Sequence, residues 1–179
     1  MRYLLLTVFV GLSIASTAQK KQSWAFLTSL EINDLRTIGG GFSIHPPPVG
    51  EHFSIGVGVD LVRVRNIAKN VTPVYIDVRY KWSFKQISPC VFAQGGLAGY
   101  NEFLNGPSTA TRTELKGRTF LGSGVGFLVG SPSAKIKPYW AFKYRVYQFA
   151  ETFTRSAERP VVLERTEQEQ FTFSVGIQY

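Results

Sequence analysis

The chain contains two histidines and one cysteine, residue types that often act as a base or a nucleophile near neutral pH. A histidine in hydrogen-bond contact with a serine could supply both roles. His45 and His52 flank Pro46-Pro47-Pro48, which must be a turn because three prolines cannot donate to a strand ladder. Nothing in the sequence places a serine within reach of either histidine, and Cys90 is expected to be a small buried residue near a turn. The sequence therefore predicts no catalytic residue and no enzyme.

Metal and nucleotide chemistry have no candidate residues either. The sequence holds no cluster of histidine, cysteine and carboxylate residues at the spacing of a metal site. The glycine-rich Gly122-Ser-Gly-Val-Gly126 lies in an alternating segment and lacks the lysine that follows the glycines of a P-loop. We therefore expect no metal ion and no cofactor.

Charged residues at alternate positions are the remaining candidates for a site. Between Val74 and Phe84, apolar side chains occupy one face of the expected strand, whereas Asp77, Arg79 and Lys81 occupy the other. Three charges in alternation cannot all face hydrocarbon, so this strand separates an apolar medium from a wet one. The same facing collects acidic and basic residues from several segments on the inside: Glu31, Asp60, Asp77, Arg79, Lys81, Lys143 and Arg145.

Eight segments of alternating apolar and polar residues would carry these charges. Side chains on a β-strand alternate between its two faces, so such segments indicate strands with one apolar and one polar face. Their number and order predict an all-β fold, an eight-stranded antiparallel up-and-down transmembrane β-barrel. The segments are 24–33, 35–44, 53–62, 74–84, 90–100, 119–129, 138–149 and 170–179.

The connections between these segments alternate in length. Those at Pro46, Gln86 and Ser131 are short, whereas the polar stretches 101–117 and 151–169 are long. Transmembrane barrels have short periplasmic turns and longer external loops, so both chain ends are predicted on the periplasmic side. This orientation places large aromatic residues at the periplasmic rim as an interfacial girdle: Trp24, Trp82, Trp140 and Tyr179.

The interior of an eight-stranded barrel has room for side chains and little else. The inward charges then have two interpretations, a gated polar path through the barrel or a salt-bridged plug. The plug is favoured because charges enclosed in so small a barrel need partners of opposite sign. We expect Asp60 and Asp77 to pair with Arg79, Lys143 and Arg145, and the barrel to conduct ions poorly.

The first residues have the layout of a secretory signal peptide. Arg2 gives a positive start, residues 4–15 are mostly apolar, and Ser16-Thr17-Ala18 is a small-x-small cleavage site. The apolar run is shorter than the roughly 20 residues that span a bilayer, so residues 1–18 are expected to be removed. Removing the first 18 of 179 residues leaves 161, a single domain over 19–179. The net charge falls from +8 to +7 with Arg2, and the basic residues form no run, so no nucleic-acid partner is expected.

The last segment alternates without interruption and ends on an aromatic residue. Together with the cleavage site and the uneven connections, this ending resembles the small outer-membrane β-barrels of Bacteroidetes-type bacteria, which are similar to OmpA- and OmpX-like barrels. The resemblance covers the mature chain. In that family the last strand is read by the barrel-assembly machinery, so its apolar face is the implied assembly signal: Phe171, Phe173, Val175, Ile177 and Tyr179.

The resemblance implies a monomeric, non-enzymatic protein of the Gram-negative outer membrane, in contact with lipid and lipopolysaccharide. Its role would be structural, or its external loops would bind a partner. One alternative is a lipid A deacylase or acyltransferase, which would need a His–Ser pair in the outer leaflet, whereas His45 and His52 are expected at the periplasmic rim. Another is a soluble secreted barrel that binds an apolar ligand, which would reverse the faces and place phenylalanine and valine inside.

Overall fold

The computed structural model describes residues 24–34, 36–48, 52–64, 69–84, 86–105, 111–131, 134–155 and 161–179. The predicted signal peptide, residues 1–18, and the predicted start of the domain lie outside these ranges. Within them, no helix is long and apolar enough to cross a membrane. The strands are β1 (Ala25–Asn33), β2 (Thr37–His45), β3 (Phe53–Val64), β4 (Lys69–Lys81), β5 (Ile87–Gly99), β6 (Asn101–Asn105), β7 (Thr111–Val129), β8 (Lys137–Arg155) and β9 (Val161–Gln178).

These strands form one antiparallel sheet that closes on itself. Neighbours in sequence pair with each other, β1 also pairs with β9 from Leu27 to Asn33, and β5 pairs with β7. β6 follows β5 after Tyr100 and pairs with the same partner, β7, so β5 and β6 together make one wall strand. The barrel therefore has eight wall strands, and the prediction of an eight-stranded antiparallel up-and-down barrel is confirmed.

The two ends of the barrel differ. At the short-turn end β2, β4 and β7 end and β3, β5 and β8 begin, and Trp24 and Tyr179 lie at the same end. The opposite end, here the long-strand end, carries the β1–β2 turn at Asp34, whose φ of 47° is a left-handed conformation that aspartate tolerates in turns. A bond from Arg36 N to Asn33 O of 2.9 Å closes that turn. β2 therefore begins at Thr37 rather than at Leu35.

The expectation that 101–117 and 151–169 are long polar connections is wrong. At the long-strand end, β6 and β7 occupy 101–105 and 111–117, β8 and β9 occupy 151–155 and 161–169, and β7 and β8 each have 19 residues. Backbone pairs such as Leu115 with Glu151 and Ala150 with Arg165 continue the ladders, with irregular register between Gly117 and Phe120. An apolar stripe marks a strand only where one face meets an apolar medium, and these extensions lack one. The alternation of apolar and polar residues therefore did not predict these parts of the strands.

Candidate functional site

The pleat of the strands determines which side chains enter the barrel. Along β3, exposure alternates at every residue, with Ile55, Val57 and Val59 outside and Gly58 and Asp60 inside. Glycine at 58 leaves room for a neighbouring ring, because a Cβ there would lie 2.5 Å from Cε2 of Tyr75. That ring reaches across to donate a hydrogen bond of 2.7 Å from its hydroxyl to Asp60 Oδ1.

Four charged side chains from three strands meet inside the barrel, and we call them the central ionic layer: Glu31, Asp60, Lys143 and Arg145. Lys143 Nζ donates to Glu31 Oε1 at 2.5 Å, and Arg145 Nη1 donates to Glu31 Oε2 at 2.6 Å. Arg145 Nη2 donates to Glu31 Oε1 at 3.0 Å and also pairs with Asp60 Oδ2. Two carboxylates face two cations, so the layer is balanced in charge. Glu31 and Arg145 have no solvent exposure, which makes this balance necessary.

Arg145 joins opposite walls of the barrel. Around the closed sheet, β8 is followed by β9, β1, β2 and then β3, so β8 and β3 lie four strands apart in a ring of eight. The Arg145 bond to Asp60 on β3 therefore crosses the lumen at full width. No wider crossing is possible in a barrel of this size.

A second group of buried charges lies nearer the short-turn end. Arg79 Nε and Nη2 donate to the two oxygens of Asp77 at 2.9 and 2.7 Å, and Gln94 Nε2 donates to Asp77 Oδ2 at 2.8 Å. The Arg79 guanidinium carbon lies 5.1 Å from the ring centre of Phe92 and 5.4 Å from that of Tyr139, within cation–π range. Both oxygens of Asp77 are thus occupied.

Apolar side chains fill the lumen on either side of the central ionic layer. Towards the long-strand end they are Val62, Val64, Val71, Tyr75, Ala98, Phe120, Tyr147 and Phe149. Towards the short-turn end they are Leu27, Cys90, Phe92, Leu128, Tyr139 and Ala141. These two apolar clusters were not predicted, because only charged side chains were expected inside the barrel. Extending the inward register of β3 and β8 by a few residues would have found Val64 and Tyr147.

Six of the seven charges predicted to face the lumen form ion pairs in the described structure. Glu31, Asp60, Lys143 and Arg145 make the central ionic layer, while Asp77 and Arg79 pair separately. Asp60 thus pairs with Arg145 and Asp77 with Arg79, and Lys143 pairs with Glu31 instead of an aspartate. Lys81 lies apart at the end of β4, and no carboxylate within the described ranges forms an ion pair with it.

A belt of exposed apolar side chains surrounds the outside of the barrel. Leu30 on β1 is 70% exposed and Phe171 on β9 is 68% exposed, values far above those of core residues. Apolar residues that are so exposed in contiguous groups indicate a surface that another apolar phase covers. Every wall strand contributes to the belt, through Leu30, Ile38, Val57, Ile76, Leu97, Val125, Phe142 and Phe171.

The residues of the predicted aromatic girdle and assembly signal lie on this outer surface. Trp24 precedes β1, Trp82 follows β4, and Trp140 lies early in β8, all at the short-turn end. The belt on β9 continues through Phe173, Val175, Ile177 and Tyr179 after Phe171. Tyr179 exchanges two backbone hydrogen bonds with Phe26, of 2.9 and 3.2 Å, so the last residue seals the seam between β9 and β1.

The short-turn end holds the histidines, and here one expectation is wrong. His45 does have serines within reach: Ser43 Oγ lies 3.3 Å from Nε2 and Ser54 Oγ lies 3.5 Å from Nδ1. Ser43 shares a face with His45 two residues along β2, a proximity that the period of 2 could have indicated. Among the described residues, no carboxylate hydrogen-bonds to the His45 ring, and Ser43 is 2% exposed. The group as described therefore lacks the carboxylate that orients the base in a catalytic triad.

Metal binding has no support in the described ranges, where no three histidine, cysteine or carboxylate side chains are grouped to hold an ion. What the described residues form is a closed barrel with an apolar outside and an inside filled by an ionic layer between two apolar clusters. This is the arrangement of a transmembrane β-barrel.

Comparison with solved structures gives the same fold. The outer membrane protein AlkL, determined by solid-state NMR in DMPC lipid bilayers, matches with a TM-score of 0.55 and 14% identity over 91% of this chain and 92% of AlkL. The N-terminal β-barrel domain of Pseudomonas aeruginosa OprF gives 0.49 at 13% identity, covering 90% and 100% of the two chains. A de novo designed transmembrane β-barrel gives 0.42 at 16% identity, covering 90% and 97%. No protein-family model matches the sequence, and no curated protein matches it significantly. The AlkL match shows that the chain has the fold of an outer-membrane β-barrel.

Proposed function

We propose that the protein is a non-enzymatic integral protein of the bacterial outer membrane whose lumen is closed by its own side chains. Its contribution to the envelope is then structural, or it binds a partner through the strands and turns of the long-strand end. The observation that carries the closed lumen is the Arg145 bridge between opposite walls.

The apolar belt supports a position in the membrane. Exposed apolar surface costs about 25 cal/mol for each Å² left in water, and the belt occupies every wall strand. A bilayer removes this cost, and a closed barrel also leaves no unpaired strand edge in hydrocarbon. The soluble-barrel alternative requires the opposite arrangement, with the apolar stripes inside and Asp77, Arg79 and Lys143 outside.

The side chains inside support a lumen that does not conduct. The central ionic layer is charge-balanced, and the apolar clusters above and below it offer an ion nothing to replace its hydration shell. The same interior argues against lipid modification. The His45–Ser43 contact lies at the short-turn end and inside the barrel, away from the outer leaflet in the proposed orientation.

Lipopolysaccharide and the assembly machinery are the partners that this proposal implies for a monomeric barrel. At the long-strand end, just beyond the apolar belt, Arg118 and Arg165 line a groove of about 400 Å³ on β7, β8 and β9. This is the level at which lipid phosphates would provide counter-charge for a basic protein. The apolar face of β9, ending at the Tyr179 seam, is the surface that the assembly machinery would read.

The membrane position can be tested with arginine on one face of β9. Val175 lies in the apolar belt and is 44% exposed, whereas Glu167 lies on the same face beyond it and bonds only to Gln148 in the described structure. We expect Val175→Arg to lower the free energy of unfolding in vesicles by about 2–4 kcal/mol. Glu167→Arg should change it by roughly 0.5 kcal/mol or less. Equal effects of the two substitutions would show that lipid does not cover the belt.

The closed lumen is tested separately in a planar bilayer. Purified protein whose folded state is verified by heat-dependent gel migration should give no stable conductance steps. Large, steady steps would refute the closed lumen and leave the membrane position intact.

A further inference from the structure

Among the described residues, the buried ion pairs of the barrel do not include Lys81. The central ionic layer contains two carboxylates and two cations, and Asp77 offsets Arg79. Lys81 remains, facing the same way as Asp77 and Arg79 on β4, at the short-turn end. Among the described residues, Lys81 thus lies at the short-turn mouth without a carboxylate in an ion pair with it.

Lys81 cannot use the nearby aspartate. Four residues along a strand separate their backbones by roughly 13 Å, and both Asp77 oxygens already accept hydrogen bonds. The Lys81 backbone is also fixed in place. Lys81 N donates to His52 O at 2.8 Å, and the His52 ring donates from Nδ1 to Lys81 O at 2.9 Å. Lys81 is thus held at the mouth by a backbone that hydrogen bonds fix on both sides.

A cavity of about 60 Å³ lies beside this lysine. It has room for several water molecules, or for one carboxylate or phosphate group. Arg79 and Lys81 provide positive charge, Ser54 provides a hydroxyl, and Leu27, Leu128 and Pro46 provide apolar walls. A cationic end and apolar walls together suit a small amphiphile better than a bare ion.

We propose that this cavity, the short-turn mouth site, binds an oxyanion through Lys81 and Ser54. The ligand is a carboxylate or phosphate group, and an attached short apolar chain would contact Leu27 and Leu128. This goes beyond a structural barrel, because it gives the end that faces the periplasm in the proposed orientation a binding activity of its own. It does not depend on whether the lumen conducts.

The experiment titrates the full barrel in detergent micelles with three probes at constant ionic strength and follows the backbone amides of the mouth by NMR. The probes are inorganic phosphate, acetate and hexanoate, each below any micelle-forming concentration. The variants are Lys81→Gln, Lys81→Arg, and Lys135→Gln as a matched control, since Lys135 is an exposed lysine at the same end that does not line the cavity.

We expect saturable shifts at Lys81, His52 and Ser54, with hexanoate binding more tightly than acetate because of the apolar walls. Loss of one charge-assisted contact should weaken binding about tenfold or more in Lys81→Gln. Lys81→Arg and Lys135→Gln should bind within about threefold of the parent protein, a difference well under 1 kcal/mol. Phosphate binding without a preference for hexanoate over acetate would identify a free oxyanion as the ligand and support the site. No saturable shift with any probe, or equal binding by Lys81→Gln with its spectrum otherwise unchanged, would overturn it.

Discussion

Replacing Glu31 with glutamine should test whether the central ionic layer stabilises the barrel. Glu31 accepts bonds from Lys143, from two nitrogens of Arg145 and from Ser174 Oγ at 3.3 Å. A glutamine keeps the shape but offers one oxygen in place of two and turns an amide towards cationic donors. Arg145 would keep Asp60, whereas Lys143 would lose its carboxylate.

The magnitude follows from burial. Glu31 is not exposed at all and Lys143 is 4% exposed, so water cannot compensate for the lost partner. Removing one member of a buried ion pair costs about 3–5 kcal/mol. Glu31→Gln should therefore lower the free energy of unfolding by about that amount. Removing Lys143 as well, in Glu31→Gln with Lys143→Met, restores charge balance, and the pair of changes should cost about 1–3 kcal/mol less than the sum of the single changes.

The assay is equilibrium unfolding in urea after refolding into lipid vesicles, followed by tryptophan fluorescence and by gel migration without heating. Glu167→Gln is the control, because Glu167 is exposed at the long-strand end and its bond to Gln148 lies in water. Its expected effect is within roughly 0.5 kcal/mol. If Glu31→Gln proves as mild as Glu167→Gln, or if the double substitution costs the full sum, the layer does not stabilise the barrel as argued.

Two further predictions concern packing and the seam. Gly58→Ala should lower the free energy of unfolding by about 1–3 kcal/mol because its Cβ would displace Tyr75 from Asp60, whereas Gly95→Ala should be tolerated, since the nearest atom outside its chain neighbours is Leu121 Cδ2 at 3.8 Å. Urea unfolding of both variants checks this, and equal destabilisation would refute the packing argument. Deleting Tyr179 removes two backbone bonds at the seam as well as the aromatic ring, whereas Tyr179→Ala removes only the ring. If the ring is the assembly signal, both variants should reach the outer membrane in smaller amounts than Tyr179→Phe, and normal levels of Tyr179→Ala would reject that role.

The facing of the belt strands could be predicted from sequence because their environment has two sides. From Phe53 to Leu61 on β3, outward apolar residues alternate with inward small or polar residues, and a shift by one residue would place Asp60 outside. Glu31 and Arg145 could likewise be predicted to face inward without any knowledge of their partners. Pairing is a different problem, since it depends on how far each strand is displaced along its neighbour. Glu31 and Lys143 lie 112 residues apart in the chain, and the sequence around either residue does not indicate that they pair.

The strand extensions and the histidine contacts were missed for opposite reasons. Beyond Val146 the outer face of β8 continues with Gln148, so hydrogen bonding to β7 and β9 sustains the strand there without an apolar stripe. At the other end, Ser43 and His45 lie two residues apart on one face of β2, a contact that was not predicted. Because residues two apart on a strand share a face, the period of 2 can predict contacts along one strand as well as burial.

The central ionic layer also couples walls of the barrel that are not neighbours in the sheet. Its members come from β1, β3 and β8, which are not neighbours in the sheet, so their bonds form only when the sheet has closed and brought the walls together. In an open sheet, each of these charges would instead need water or another partner. The ionic layer therefore favours the closed state over an open sheet, independently of the hydrogen bonds along the β1–β9 seam. Arg145, which contacts both Glu31 and Asp60, is the residue on which this coupling between walls depends.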